Sequence, residues 1–360
     1  MSDKISSEIN NFLVSVTGKN IGLFITIKNI TKYLGPASIF IQYDYLRFYI
    51  LDGNCTPLND FVLSALKLDI PLRLQNDEKG QNLTKKKSTK NELIFDEDGD
   101  LIVDRKDVQE NVELVITLEH QLSTNLANVG NQMWRGSFYL SDYLFHLREK
   151  ELKEDVDQKN RGVWLELGAG TGMVSIIASM MNRDSEEFLI YATDLPEIVP
   201  LIKRNIERNG APKSVSVIPF DLIANDIPQC ISERDLELIL AADIIYDNSL
   251  TKGIVGTIYA LILKQLDRHH IHSDKKSKKL LTCYFSVEKR YNFTIDNMEV
   301  AAPAYDYFIK CLDDLSAKTE TFGRRLKVSY TFIDTNFEQR FCYERCKDVV
   351  IIRIDAVTST

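Results

Sequence analysis

The sequence predicts an α/β fold: a doubly wound sheet of seven strands with an antiparallel C-terminal hairpin, plus a small β-rich N-terminal region. Three observations carry this. An apolar run, Val163 to Leu167, enters a glycine-rich turn, Gly168-Ala169-Gly170-Thr171-Gly172, and Met173, Val174, Ile176, Ile177, Met180 and Met181 follow at helical spacing. From about Gln158 onward, short apolar runs alternate with amphipathic stretches, as parallel strands joined by crossover helices require. The last two apolar runs have no helical stretch between them, which makes that closing pair antiparallel.

Composition sets the frame. At 360 residues the chain is long enough for one large domain or two modest ones, and 44% hydrophobic with 27% charged residues is ordinary for a globular protein. The net charge of −8 predicts no direct nucleic-acid binding and suits a basic peptide or lysine-rich protein surface. The six cysteines are scattered; Cys342 and Cys346 form one close pair, but nothing nearby completes a zinc set, so no metal is expected. Free thiols point to a reducing compartment. The polar start, Met1-Ser2-Asp3-Lys4, opens no signal peptide, and the most apolar run, Ile254 to Leu263, is broken by Gly256 and Thr257. The expected setting is the nucleus or cytoplasm, without membrane association.

The N-terminal region, residues 1–125, reads as β-rich, with runs at Ile21–Ile27, Ser38–Tyr45 and Phe48–Leu51 and turns at Gly35-Pro36 and Asp52-Gly53. Residues 76–91, with Lys85-Lys86-Lys87, read as a flexible lysine-rich loop. The acidic stretch Phe95-Asp96-Glu97-Asp98-Gly99-Asp100-Leu101 lacks the ligand spacing of a calcium loop and reads as a turn between strands Glu92–Phe95 and Leu101–Val103. A further strand spans Val112–Leu118. The second domain is assigned to residues 126–360. Its expected elements are a helix at Phe138–Phe145, the strand Val163–Leu167 and its helix, a strand at Phe188–Thr193, and a helix from Pro196 to Arg208 closed by Asn209-Gly210. Strands at Ser214–Pro219 and Leu236–Ala242, a helix at Leu250–Leu266, a strand at Lys279–Phe285 and a helix at Ala302–Leu315 come next. The hairpin Lys327–Ile333 with Asp348–Ile354 ends the chain. Arg268, His269, His270 and His272, beside a run of lysines, read as a solvated loop.

The glycine turn suits a nucleotide-like ligand approached by a helix N-terminus, its glycines letting backbone come close. The spacing of Gly168, Gly170 and Gly172 departs from a dinucleotide turn, because Met173 stands where the last glycine belongs, and no Lys-Ser/Thr pair makes it a phosphate loop. Three carboxylates surround it. Asp194 ends its strand and can accept from both hydroxyls of a ribose. Asp221 can meet an adenine amino group, and Glu166 can bind the turn or a cationic ligand group. Caps and surface turns are the alternative role for each. Three acids repel a pyrophosphate and suit a ligand with a ribose, an adenine and a positive charge, which describes S-adenosylmethionine.

At this point the motifs carry a resemblance. Phe95–Leu101, Glu119-His120, Val129-Gly130-Asn131-Gln132-Met133-Trp134-Arg135-Gly136, Leu165–Gly172, Ala241-Ala242-Asp243-Ile244-Ile245-Tyr246-Asp247, Ser286-Val287-Glu288-Lys289-Arg290-Tyr291-Asn292-Phe293-Thr294 and Ala304-Tyr305-Asp306 resemble family 16 of the seven-β-strand methyltransferases, relatives of the methyltransferase-like 21 protein-lysine enzymes. The resemblance covers roughly residues 92–347. It implies a Rossmann-like methyltransferase sheet and S-adenosyl-L-methionine as cofactor. Trp134 would line the cofactor site; Glu166, Gly168, Ala169, Gly170, Thr171 and Gly172 would form its seat. Asp194 and Leu195 would hold the ribose, Asp221 and Leu222 would lie at the adenine, and Ala242 would wall the adenosine. Leu222 stands where the family often has Trp, which removes a stacking partner. Asp243 and Tyr246 match the family's Asp-x-x-Tyr element and would shape the entrance for a target lysine.

The expected function is therefore S-adenosylmethionine-dependent transfer of a methyl group to a lysine ε-amine of a protein, implied to be nuclear and nucleic-acid-associated. Asp243 is expected to position or relay a proton, and Tyr246 to line the channel. Glu288, Lys289 and Arg290, just past a strand on the ligand side, are expected to face the substrate, with a surface ion pair as their alternative. The expected partners are the substrate protein and chaperones, and the expected state is a monomer. A small-molecule methyltransferase and a non-catalytic module retaining the fold are the competing readings.

Overall fold

The structure is a computed structural model that describes residues 46–51, 57–71, 111–154, 162–183, 185–210, 212–270, 279–294, 299–321 and 326–358. The chain divides into units 1–46 and 47–360, and all of these residues except Leu46 lie in the second. The runs predicted at Ile21–Ile27 and Ser38–Tyr45, the lysine-rich loop and the acidic turn near Asp98 lie outside the described residues.

Three strands form a small sheet in the order β1 (Leu46–Leu51), β2 (Pro57–Pro71), β3 (Asn111–Gln121). β2 and β3 are antiparallel, from Phe61 opposite Gln121 to Pro71 opposite Asn111. A 3-10 turn at Leu126–Asn131 leads to helix α1 (Arg135–Lys153). The main fold then runs β4 (Val163–Leu167), α2 (Met173–Met181), β5 (Leu189–Asp194), α3 (Val199–Arg208), β6 (Val215–Pro219), the short α4 (Gln229–Ser232), β7 (Leu236–Ala242), α5 (Asn248–His270) and β8 (Lys279–Glu288). A small hairpin, β9 (Asn292–Thr294) and β10 (Glu299–Ala301), precedes α6 (Pro303–Thr321), β11 (Leu326–Ile333) and β12 (Val349–Thr358).

Seven strands make the central sheet in the order β11-β12-β8-β7-β4-β5-β6. β8, β7, β4, β5 and β6 are parallel, and β12 runs antiparallel to both its neighbours. The predicted fold class is thus borne out, hairpin included. The apolar reading of β4 and β7 has its cause in burial on both faces: Leu165, Leu167, Ile239 and Ala241 are wholly buried. Two residues are exceptions: Glu166 in β4 is buried, and Glu237 in β7 faces solvent and accepts from the Gly162 N–H. The chain leaves β4 toward β5 and β6, then returns to β7 on the other side of β4. That reversal puts a topological switch point at the carboxyl ends of β4 and β7, where open α/β sheets bind ligands.

The elements differ from expectation mainly at their ends. α1 is longer than Phe138–Phe145 because polar residues at both ends continue the helix beyond its apolar stripe. α3 starts at Val199, not Pro196; Pro196 lies in the turn before it, and Pro200 takes the first-turn position whose missing N–H costs nothing. Arg268 is not part of a solvated loop: it lies on α5, pairs with Asp235 at 2.8 Å and donates to the carbonyls of Ser232 and Arg234. Among the described residues, no helix is long and apolar enough to cross a membrane.

The small sheet is fastened to α3 by a polar seam. Asn205, wholly buried, accepts from the Glu119 N–H at 2.7 Å and donates to the Glu119 carbonyl at 2.9 Å. One helical turn on, Asn209 does the same for Thr117, at 3.0 and 2.8 Å. Two side-chain amides thereby do for β3 what a neighbouring strand would do, satisfying backbone groups that burial would otherwise penalise. The buried Glu119 carboxylate is held by Arg204 at 2.6 Å and Arg208 at 2.7 Å, which keep it below the usual carboxylate range against the opposing effect of burial.

Candidate active site

The glycine turn needs its glycines for a reason other than the expected one. Gly168 and Gly170 have φ of +63° and +55°, where a side chain is strained. A Cβ on Gly168 would stand 2.6 Å from Cγ2 of Ile244, and one on Gly170 would stand 3.0 Å from the Gly130 carbonyl oxygen. The glycines make room for the chain's own atoms, so that the 3-10 turn and the segment after β7 close on the turn. The turn is tied down from below as well. Ala169 N–H donates to the Thr193 carbonyl at 2.9 Å, and Asn205 donates to the Thr171 carbonyl at 2.9 Å.

The three carboxylates play different parts. Glu166 is buried, and its Oε2 accepts from both the N–H and the hydroxyl of Ser175 on α2. Of its two expected roles, it binds the frame of the turn. Burial, joined by the nearby Asp194 charge, pushes it up to about 8, so it is neutral at pH 7 and adds no repulsion toward a phosphate. Asp194 is half-buried at the end of β5; its Oδ2 takes the Gly170 N–H at 2.7 Å and its Oδ1 the Leu195 N–H at 2.8 Å. Burial raises it to about 6 against those two bonds. Both oxygens are thereby oriented, with further lone pairs left for a ligand. Asp221 is exposed, and its Oδ1 caps the turn through the N–H groups of Ile223 and Ala224, at 2.8 and 3.3 Å. Leu222 is buried in the hydrophobic core.

Asp243 directly follows β7 in the left-handed conformation, φ +57°, which Asp tolerates better than most residues. Its Oδ2 accepts from the buried Gly136 N–H at 2.8 Å, and its Oδ1 from the Glu288 N–H at 3.2 Å. The Ser286 hydroxyl donates to the Gly136 carbonyl at 2.7 Å. One carboxylate thus clasps the start of α1 to the end of β8. Burial raises Asp243 above the usual carboxylate range, while the Gly136 N–H and the Arg290 guanidinium pull it down.

Beside this clasp lies a cavity of about 510 Å³. Trp134, Asp243, Tyr246 and Arg290 are among its walls; Val129, Asp247, Asn248, Asn292, Pro303 and Ala304 complete them. Trp134 is fixed by its indole N–H, which donates to the Val129 carbonyl at 2.8 Å, and the Arg290 guanidinium carbon lies 4.8 Å from its ring centre. The ion-pair alternative for the segment after β8 is present: Glu288 binds Arg135 at 2.5 Å and Arg290 at 3.6 Å. Lys289 lies 4.8 Å over the Tyr305 ring. Of the three, Arg290 reaches the cavity wall.

The expected site residues fall into two neighbouring groups. The turn 168–172, Asp194 and Leu195 are joined by hydrogen bonds; Trp134, Asp243, Tyr246 and Arg290 wall the cavity, and the Val129-Gly130 segment adjoins both groups. Ala242 ends β7 between them. Sequence reasoning missed Gly136 and Ser286 as partners of Asp243. Both stood inside quoted motifs, and a glycine directly after Trp134-Arg135 was the available signal.

A seven-stranded sheet with β12 inserted antiparallel between β8 and β11, a glycine turn after β4 and an acid at the end of β5 define a methyltransferase-type α/β protein. A family model described as lysine methyltransferase matches residues 101–290, just over half of the chain, and the chain belongs to that family. It is similar to Methyltransferase-like protein 22 of Mus musculus, 29% identical over 73% of this chain and 64% of that protein. The protein of the same name from Homo sapiens is 30% identical over 67% of this chain and 58% of its own length. Protein-lysine N-methyltransferase EFM2 of Saccharomyces cerevisiae is 31% identical over 39% of this chain and 36% of its own. The chain therefore spans less than two thirds of the length of the first two relatives.

Proposed function

We propose that the protein is an S-adenosylmethionine-dependent protein-lysine N-methyltransferase. One observation carries the reading: a cavity walled by Trp134, Asp243 and Tyr246 opens at the switch point, beside a glycine turn suited to an adenosine. The residues present fit the cofactor. The turn holds no Lys or Arg for a phosphate, and Asp194 offers oriented lone pairs at the strand end. The backbone of 168–172 would seat the methionine part, Asp194 and Leu195 the ribose, Asp221 the adenine, and Ala242 and Trp134 the walls. When bound, S-adenosylmethionine supplies a methyl group on a positively charged sulfur.

The chain's part is alignment and exclusion of water. Asp243 acts as a positioner, not a proton relay: each of its oxygens already takes a backbone N–H, and protonating one would turn an acceptor of the clasp into a donor. Tyr246, held neutral by burial and by the charges of Asp194 and Asp247, presents an uncharged wall to an amine. The substrate is a protein carrying the target lysine. The names of the family and of EFM2 support lysine as the acceptor. A nuclear, nucleic-acid-associated substrate, chaperone contacts and a monomeric enzyme of nucleus or cytoplasm are supported by the resemblance of the quoted motifs. Incubation with methyl-labelled cofactor and cell extract, followed by peptide mapping, is expected to find the label on lysine. Label confined to small molecules, or calorimetry showing no cofactor binding, would overturn the reading.

A further inference from the structure

A lysine attacks as the free amine, and a buried carboxylate beside it would hold it as the ammonium. The cavity wall contains such a carboxylate, Asp243, with Glu288 next to it. Each is matched. Arg290 lies 3.9 Å from Asp243 Oδ1 and 3.6 Å from Glu288 Oε2, while Arg135 takes Glu288 Oε1 at 2.5 Å. The Gly136 N–H and Arg290 favour the ionised form of Asp243 against burial, and with it ionised, two carboxylates and two guanidiniums make a group of zero net charge. The surrounding charges are spent elsewhere or screened. Among the described residues, Glu344 reaches only Arg135, at 3.8 Å, and is largely exposed; Asp194 spends an oxygen on each of the Gly170 and Leu195 N–H groups; Asp247 is exposed and caps α5 through Ser249 and Leu250; Lys289 covers Tyr305; Tyr246 is neutral.

We propose that Arg290 is the residue that makes the cavity receive a lysine as the neutral amine: laid on the Trp134 ring, it cancels the Asp243 and Glu288 charges that would otherwise trap an ammonium. The stacking explains why an arginine stands there. A flat guanidinium covers the indole face and still bridges two carboxylates, which keeps its charge at the wall without projecting into the space beside it. This inference rests on the proposed lysine chemistry, because only an amine acceptor needs such a balance. Arg290 positions charge and takes no part in bond making.

The test uses the full chain and a probe that stands in for the lysine side chain, n-butylammonium, with n-butanol as its uncharged control. Binding is read by calorimetry and by Trp134 fluorescence. At pH 7, Arg290→Gln is expected to bind n-butylammonium at least about tenfold more tightly than the unaltered protein. Arg290→Lys is expected to keep the weak binding of the unaltered protein, and the gain should vanish when Arg290→Gln is combined with Asp243→Asn. Butanol binding should not change. Arg290→Gln binding the cation no better, a gain that survives Asp243→Asn, or an equal gain for butanol would each overturn the proposal. No methyl transfer enters these measurements, so a failed transfer assay would overturn the proposed function while leaving the charge balance standing.

Discussion

Replacing Asp243 by alanine is expected to unseat the site by loosening the fold around it. The Gly136 N–H is buried and, among the described residues, donates to Asp243 Oδ2 alone, so truncation leaves it unsatisfied, at about 1–3 kcal/mol. Alanine must also adopt φ +57°, at about 1 kcal/mol more than an acid or amide that tolerates it. Together these give about 2–4 kcal/mol, or roughly 3–5 °C in unfolding midpoint for a chain of this size. Asparagine keeps the shape, the tolerance of the left-handed conformation and one acceptor, so it should cost about 1 kcal/mol. Thermal unfolding by circular dichroism, run beside cofactor calorimetry, separates the two variants. Gly136→Ala attacks the same clasp from the other side, since its Cβ would stand 2.8 Å from Asp243 Oδ2, and should mimic the alanine variant. An Asp243→Ala protein that unfolds within about 1 °C of the unaltered one would refute the clasp, because that shift is less than one unsatisfied buried N–H should produce.

Gly170→Ala should weaken cofactor binding more than stability: positive φ and a contact at 3.0 Å with the Gly130 carbonyl force the turn to shift, and calorimetry reads the loss. Glu166 is raised from 4.5 to about 8, so the folded state holds its proton more tightly over that window. The stability it lends is full below about pH 4.5 and is lost as pH rises through about 8. Denaturant unfolding at pH 6 and pH 9 should show this decline, and Glu166→Gln should flatten it; an unchanged slope would count against a neutral Glu166. Glu119→Ala leaves Arg204 and Arg208 half-exposed and able to rehydrate, so its cost should be about 1–3 kcal/mol. Hydrogen exchange should then quicken in β3 before it does in β4, and uniform exchange would argue against β3 as a separately fastened element.

Much of the fold was legible because its strands are buried on both faces. β4 and β7 could be bounded to the residue, since every position but Glu166 in the former and Glu237 in the latter is apolar. β2 escaped notice because Asp60, Lys67 and Asp69 interrupt its apolar pattern. The hairpin of β9 and β10 escaped because three-residue strands carry no period. In the site, Asp194 and the glycine turn were readable from their place at strand ends. The Asn205 and Asn209 seam was not, because an asparagine that imitates a strand looks like any polar residue on a helix.

By itself, the sequence determined the order of strands and helices, the turn that seats a nucleoside-type ligand and the acids near it, because local pattern and backbone conformation decide those. Only the tertiary structure decided what each charge does. Glu166 is pushed toward its neutral form because burial outweighs the two hydrogen bonds from Ser175, and Asp243 is a clasp because two backbone N–H groups converge on it from α1 and β8. Arg290 balances a cavity because Trp134, distant in sequence, supplies the face on which it lies. Protonation and pairing depend on what surrounds a group from every side, and only the folded chain brings residues 134, 243 and 290 to one wall.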